Sequence, residues 1–174
     1  MLNESDITVE LNTAIRQLLR ACFPHRIEEY SHCRWFNNNT PDFTTIIADN
    51  NKVIAHVATI ERMITVGAAA VRVAAVGNVG VGPQHRGKGL CDMAIKTAMA
   101  EAKRRGYDTG LLFCQKHVID IYARNGWSEI PDMPVTYLEN NKPVQFTADR
   151  LKMFFPLNLS EFPQGPANLN GPRW

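Results

Sequence analysis

No apolar run in this 174-residue chain approaches the roughly 20 residues a helix needs to cross a bilayer. The opening stretch, MLNESDITVE, carries acidic side chains where a secretory leader would be basic and then apolar, so export is not expected. An excess of one charge is missing too. Nineteen Lys and Arg against 17 Asp and Glu leave a formal net charge of +2, which argues against nucleic acid as a partner. The four cysteines, Cys22, Cys33, Cys91 and Cys114, are widely spaced and form no C-x-x-C pair, so they read as free thiols of a reducing compartment. His25, His32, His56, His85 and His117 show no ligand spacing, and no metal site is expected. These absences leave a cytoplasmic protein with no membrane or nucleic-acid partner.

What is present is ordinary globular material: 45% apolar and 21% charged residues, enough to bury a core in one domain spanning residues 1–174. Leu11, Ile15, Leu18, Leu19 and Cys22 recur at helical spacing and predict an amphipathic helix over 9–22. The stretch 24–42 is polar and aromatic, and its Asn and Pro cluster makes it partly loop. FTTIIADNNKVIAHVATIERMITV predicts two strands joined at Asp49-Asn50-Asn51, and Gly67 allows a further reversal into VRVAAVGNVGV. A three-stranded antiparallel meander results. Later come a helix with Cys91, Ala94, Ile95, Ala98 and Ala102 on one stripe, a short strand TGLLFC, and a short helix in HVIDIYARNG. VTYLEN and RLKMFFPL supply late strands, and residues 158–174 form an extended C-terminal tail over the surface. The order predicts a mixed α/β (α+β) sheet.

Between the third strand and the long helix lies VGVGPQHRGKGLCDMAIK. The first four N–H groups of a helix have no internal partner and carry part of its positive end. Gly87 and Gly89 remove side chains that would keep an anion from those amides, while Arg86 and Lys88 add positive charge. Such a mouth suits a pyrophosphate. It has neither Walker A nor G-x-G-x-x-G spacing. The alternative is a basic turn whose glycines serve geometry only.

QHRGKG, residues 84–89, resembles the Q/R-x-x-G-x-G/A signature of the GCN5-related N-acetyltransferases (GNAT), and IYARNGW, residues 121–127, resembles their later tyrosine-bearing helix. The likeness covers about Val53 to Trp127. Within that superfamily the chain is most similar to the aminoglycoside 2′-N-acetyltransferases, in VIAHVATIER, the turn and a final tryptophan. A weaker likeness, in the late strand and tail, is to the nodulation-factor N-acyltransferases.

The resemblance implies a GNAT fold, a mostly antiparallel mixed sheet flanked by helices and split by a V-shaped gap between GNVGV and TGLLFC that holds acetyl-CoA. Main-chain groups of Val79, Gly80 and Val81 would pair with the pantetheine arm, and one N–H would polarise the thioester carbonyl. Amides of Arg86, Gly87, Lys88, Gly89, Leu90 and Cys91 would take the pyrophosphate. Tyr122 would protonate the departing thiolate. The family's aminoglycoside enzymes carry a basic glutamate where this chain has Gly77, with Asn78 next. Glycine is no base, and an asparagine can orient water without accepting its proton. Asn78 is therefore the second catalytic candidate, and Gly77, Asn78 and Trp174 mark the acceptor side, with the terminal carboxylate of Trp174 a candidate replacement for the glutamate. Glu28, Glu29 and Glu61 are looser acidic candidates. The implied activity is direct acetyl transfer to a primary amine of a small, polycationic, aminoglycoside-like acceptor. A longer acyl donor with an aminosugar acceptor, and a non-catalytic CoA-binding module, are the alternatives. The resemblance admits a homodimer.

Overall fold

The computed structural model of the protein describes residues 1–35, 39–50, 52–131, 133–146 and 150–174. The chain divides into two compact units, one of Met1–Ile60 with Val76–Ala98 and one of Glu61–Ala75 with Met99–Trp174. Two strands and one helix run through both.

In the first unit, Thr8 caps α1 (Val9–Cys22) by accepting from the Leu11 N–H. The inward stripe of α1, Ile15, Leu18 and Leu19, packs with Tyr30 of α2 (Ile27–His32) and Val53. Ile15 and Leu19 are wholly buried, each contributing roughly 1.5–3 kcal/mol of transfer free energy. The predicted meander is there: β2 (Phe43–Asp49), β3 (Lys52–Val66) and β4 (Ala69–Val81). A two-residue β1 (Leu2–Asn3) adds to the edge, pairing Leu2 with Thr44. β2 and β3 are antiparallel with Ile46 opposite His56, and their register shifts at Ile47/Ala48. Asn50 turns the chain at φ +47°, while its neighbour Asn51 lies outside the described residues.

The second unit holds the remaining strands, joined to its parts of β3 and β4 in the order β6-β9-β5-β4-β3-β10-β7-β8, where β5 is Thr109–Cys114, β6 Ser128–Glu129, β7 Val135–Glu139, β8 Lys142–Gln145, β9 Leu151–Pro156 and β10 Ala167–Asn168. β5 is parallel to β4, with Val73–Ala75 opposite Thr109–Leu111, and antiparallel to β9. α3 (Leu90–Arg104) brings its stripe inward, Ala94, Ile95 and Ala98 in the first unit and Met99 and Ala102 in the second. It ends where expected, with Gly106 left-handed at φ +76°. α4 (Ile119–Ala123) comes after a 3₁₀ turn at Lys116–Val118. Among the described residues, no helix is long and apolar enough to cross a membrane.

The expectation for the tail needs correcting. Residues 158–174 are extended, yet they do not simply lie over the surface. Ala167 of β10 pairs with Val66 and Val135, and Phe162, Ala167 and Leu169 are buried. Three apolar side chains spaced through a Pro- and Gly-rich stretch give no helical or strand period, which hides their burial from a pattern reading.

Gly110 of β5 has no room for a side chain, because a Cβ there would sit 2.8 Å from Met99 Sδ and 2.9 Å from Trp127 Cη2. Gly110→Ala should therefore lower unfolding free energy by about 1–3 kcal/mol through overpacking. Urea denaturation measures it, and an unchanged midpoint would show that these side chains yield freely.

Candidate active site

The centre of the first unit's polar chemistry is Asn78, inside β4, whose φ is +50°. A left-handed residue costs an L side chain roughly 1–2 kcal/mol, and Asn tolerates it because its short amide can bond locally. Here each end of that amide makes a hydrogen bond. The Tyr30 hydroxyl donates to Asn78 Oδ1 at 2.8 Å, and Asn78 Nδ2 donates to the Arg34 carbonyl at 2.7 Å. The Asn78 carbonyl accepts from His56 Nδ1 at 2.8 Å. A left-handed residue within a strand departs from the extended backbone on either side of it. The residues that follow it are Val79, Gly80 and Val81.

The surroundings fix the protonation of these partners. A carbonyl can only accept, so His56 Nδ1 carries the proton and Nε2 is left an acceptor. Nε2 is buried and has no hydrogen-bond partner among the described residues, and His56 is 1% exposed. Burial pushes the imidazole down to about 4, opposed by the bond to Asn78 and aided by Arg34. Burial likewise pushes the Tyr30 phenol up to about 12, so it stays a donor at any physiological pH. Arg34 is itself buried and bonds Glu4 through Nη2, while its buried Nε and Nη1 have no hydrogen-bond partner among the described residues.

Gly80 has a close neighbour that the sequence does not display. A Cβ there would meet Cys22 Sγ at 3.0 Å and Cys22 Cβ at 3.3 Å, so its bare face admits the end of α1. Burial raises the Cys22 thiol against the opposing pull of Arg86.

After β4 the chain makes a 3₁₀ turn at Pro83–His85 and reaches the basic loop. Gly87 and Gly89 are both left-handed, at φ +73° and +72°, and Lys88 between them is not. A Cβ on either glycine would meet nothing within 4 Å. Alternation of this kind turns successive main-chain N–H groups toward one concave side, which binds anions. The positive end of α3, which begins at Leu90, follows directly. Arg86 Nε donates to the Val81 carbonyl at 3.3 Å, and Lys88 is exposed. The space, the amides and the cations fit a diphosphate group.

The second unit carries Tyr122 and Trp174. Tyr122, on α4, is half-buried and sets its ring edge-on to Trp127, centroids 6.1 Å apart. Trp127 is 3% exposed and packs in turn on Phe155. Trp174 tilts against Phe113 of β5 at 5.2 Å, and Phe113 stacks on Phe146 at 4.5 Å. The Trp174 indole N–H is buried and has no hydrogen-bond partner among the described residues. Cys114 is buried, and its thiol is pushed up to about 11 by burial and then by Glu129, which makes it a poor nucleophile.

Of the residues singled out by sequence, Gly77, Asn78, Val79–Val81 and Arg86–Cys91 share the first unit, and Tyr122 and Trp174 share the second. Glu29 pairs with Arg26 at 3.4 Å and Glu61 with Arg72 at 2.9 Å, while Glu28 is exposed. Among the described residues, no three His, Cys, Asp or Glu gather as a metal site would require. Tyr30, Arg34 and His56 escape sequence reasoning as site residues. The only hint is His56 itself, a lone imidazole in the apolar run VIAHVATI.

Residues 6–130 match the acetyltransferase (GNAT) domain family. Among solved structures, the chain is similar to Escherichia coli ElaA, with 18% identity over 88% of this chain and 95% of that one and a TM-score of 0.61. It is also similar to the Escherichia coli GNAT family N-acetyltransferase YhbS in complex with CoA, at 15% identity, 94% and 87% coverage and a TM-score of 0.61. A third is the Escherichia coli ribosomal-protein-S18-alanine N-acetyltransferase, at 16% identity, 88% and 92% coverage and a TM-score of 0.59. These likenesses show the fold. No curated protein matches the sequence.

The depressed His56 gives a pH prediction. Its native value of about 4 lies below the ordinary 6.5, so the unfolded chain takes up the proton first. This contribution is whole above pH 6.5 and is lost as pH falls toward 4, by about 3 kcal/mol. Urea unfolding at pH 7.5 and pH 4 should show the wild type losing about that much more than His56→Gln. Equal losses would contradict a neutral, buried His56.

Proposed function

The chain belongs to the GNAT acetyltransferase family, and on that footing we propose that it moves an acetyl group from acetyl-CoA to a primary amine of a small, polycationic acceptor of the aminoglycoside kind. The observation that carries the donor half is the pair of left-handed glycines, Gly87 and Gly89, open on their side-chain faces at the start of α3. Amides of Arg86–Cys91 would hold the donor's diphosphate, with Lys88 and Arg86 adding charge. Main-chain groups of Val79–Val81 would hold the pantetheine amides and polarise the carbonyl under attack. When bound, acetyl-CoA supplies the activated acetyl thioester.

The other roles come from protonation. Transfer makes a C–N bond as the C–S bond breaks, so one proton leaves the amine and one reaches sulfur. Tyr122 is the donor assigned to sulfur, since a phenol is protonated at neutral pH. Gly77 offers no base, and the Asn78 amide is held by Tyr30 and Arg34. The amine is thus assigned to react from its neutral fraction, with water taking its proton. The acceptor half rests on the motif likeness and on Trp174, whose ring packs on Phe113 and whose indole N–H has no partner among the described residues, which supports a place in acceptor binding.

Thiol release with acetyl-CoA and a panel of aminoglycosides, polyamines, amino sugars and amino acids tests the reading. Aminoglycosides should turn over and the others should not; turnover confined to another class would move the acceptor. Acetyl-CoA should raise the melting temperature of the wild type, and Gly89→Val should abolish that rise, because a β-branched residue resists left-handed φ. An unaltered rise would remove the loop from the donor site. Tyr122→Phe should cut kcat at least tenfold with acetyl-CoA affinity nearly unchanged. Equal loss of both would deny it the role of acid.

A further inference from the structure

We propose that Tyr30 and His56 are positioning residues for acyl transfer, which act through Asn78 to set the direction of the main-chain groups of Val79–Val81. The proposal rests on the acetyltransferase reading for what those groups hold. The positioning itself rests on geometry within the first unit.

Three bonds reach Asn78 from three separate segments, and each takes a different atom. Tyr30, from α2, holds Oδ1; the carbonyl of Arg34, just past α2, holds Nδ2; His56, from β3, holds the main-chain oxygen. The two side-chain bonds fix the rotamer, and the main-chain bond fixes the plane of the peptide that leads into Val79. The left-handed φ of +50° is therefore over-determined by its partners. With one bond removed, the peptide plane after Asn78 is freer to turn, and the N–H and C=O groups of Val79–Val81 turn with it.

Both outer partners are built to hold still. Tyr30 is 1% exposed and belongs to the apolar cluster that joins α1, α2 and Val53, so its hydroxyl is aimed by packing. His56 is 1% exposed and lies opposite Ile46 in the β2–β3 ladder, so its ring is aimed by the sheet. On the far side, Gly80 packs closely on Cys22, whose Sγ would lie 3.0 Å from a Cβ there. The segment Asn78–Gly80 is thus gripped at both ends, from α2 and β3 at Asn78 and from α1 at Gly80.

A purely structural role and a positioning role differ in what the variants do. Tyr30→Phe removes one donor and keeps the packed ring. Asn78→Gly keeps access to the left-handed backbone and removes both side-chain bonds. Amide hydrogen exchange reports the segment directly, and steady-state kinetics, run below the melting temperature measured for each variant, report its consequence. We expect both variants to retain wild-type far-UV circular dichroism and to lose at least tenfold protection at Val79–Val81, with α3 protection unchanged. kcat/KM for acetyl-CoA should fall at least tenfold in each. The double variant should be no worse than Asn78→Gly alone, because Tyr30 acts through Asn78. Protection at Val79–Val81 equal to wild type, or additive losses in the double variant, overturns the proposal. Failure of the acetyltransferase reading is a separate result: the wild type itself would show no turnover, while the exchange pattern would still decide the positioning.

Discussion

The structure turns on one residue held in a conformation that its own backbone disfavours. Asn78 sits in the left-handed region inside β4, and three hydrogen bonds from α2, the segment after it and β3 keep it there. Each bond uses a buried or half-buried partner, where a lost hydrogen bond is felt most. Tyr30 stays protonated and His56 stays neutral through the physiological range, so the arrangement does not loosen with ordinary changes in pH. Everything assigned to the strand beyond it, Val79 to Val81, inherits its direction from this point.

The same strand then delivers the chain to a loop with a different physical logic. At Gly87 and Gly89 the backbone is again left-handed, but here no side chain intervenes and no neighbour fills the space. Glycine makes that conformation inexpensive and leaves the amides open, whereas Asn78 makes it specific by being tethered. A tethered kink leading to an open, amide-lined mouth accounts for why the acetyltransferase reading draws on both places. The position after Gly77 is taken by an amide that must both donate and accept to hold the kink, and a carboxylate could not donate to the Arg34 carbonyl.

Much of the architecture is readable from local pattern. The helices over 9–22 and 90–104, the meander and the glycine-bearing turn all come from periodicity and turn chemistry, which depend on residues close in sequence. The GNAT likeness of QHRGKG and IYARNGW extends that reading to the fold, and the family match supports it. What stays hidden depends on distant partners. Tyr30 and Asn78 are 48 residues apart, and nothing in IEEYSH marks its tyrosine as the anchor of a strand. The tail hides its burial for a similar reason: Ala167 becomes a strand residue only because Val66 and Val135 lie on either side. Gly80 reads as a concession to a ligand, and its tight contact is with Cys22.

The most direct measurement of the central claim is a titration of the ¹⁵N-labelled protein with CoA, monitored by main-chain amide shifts. The account predicts saturable shifts concentrated at Val79–Val81 and Arg86–Cys91, with the Asn78 amide moving little because its neighbours already hold it. Saturable shifts elsewhere with these two segments unmoved, or no shifts at any CoA concentration, would contradict it.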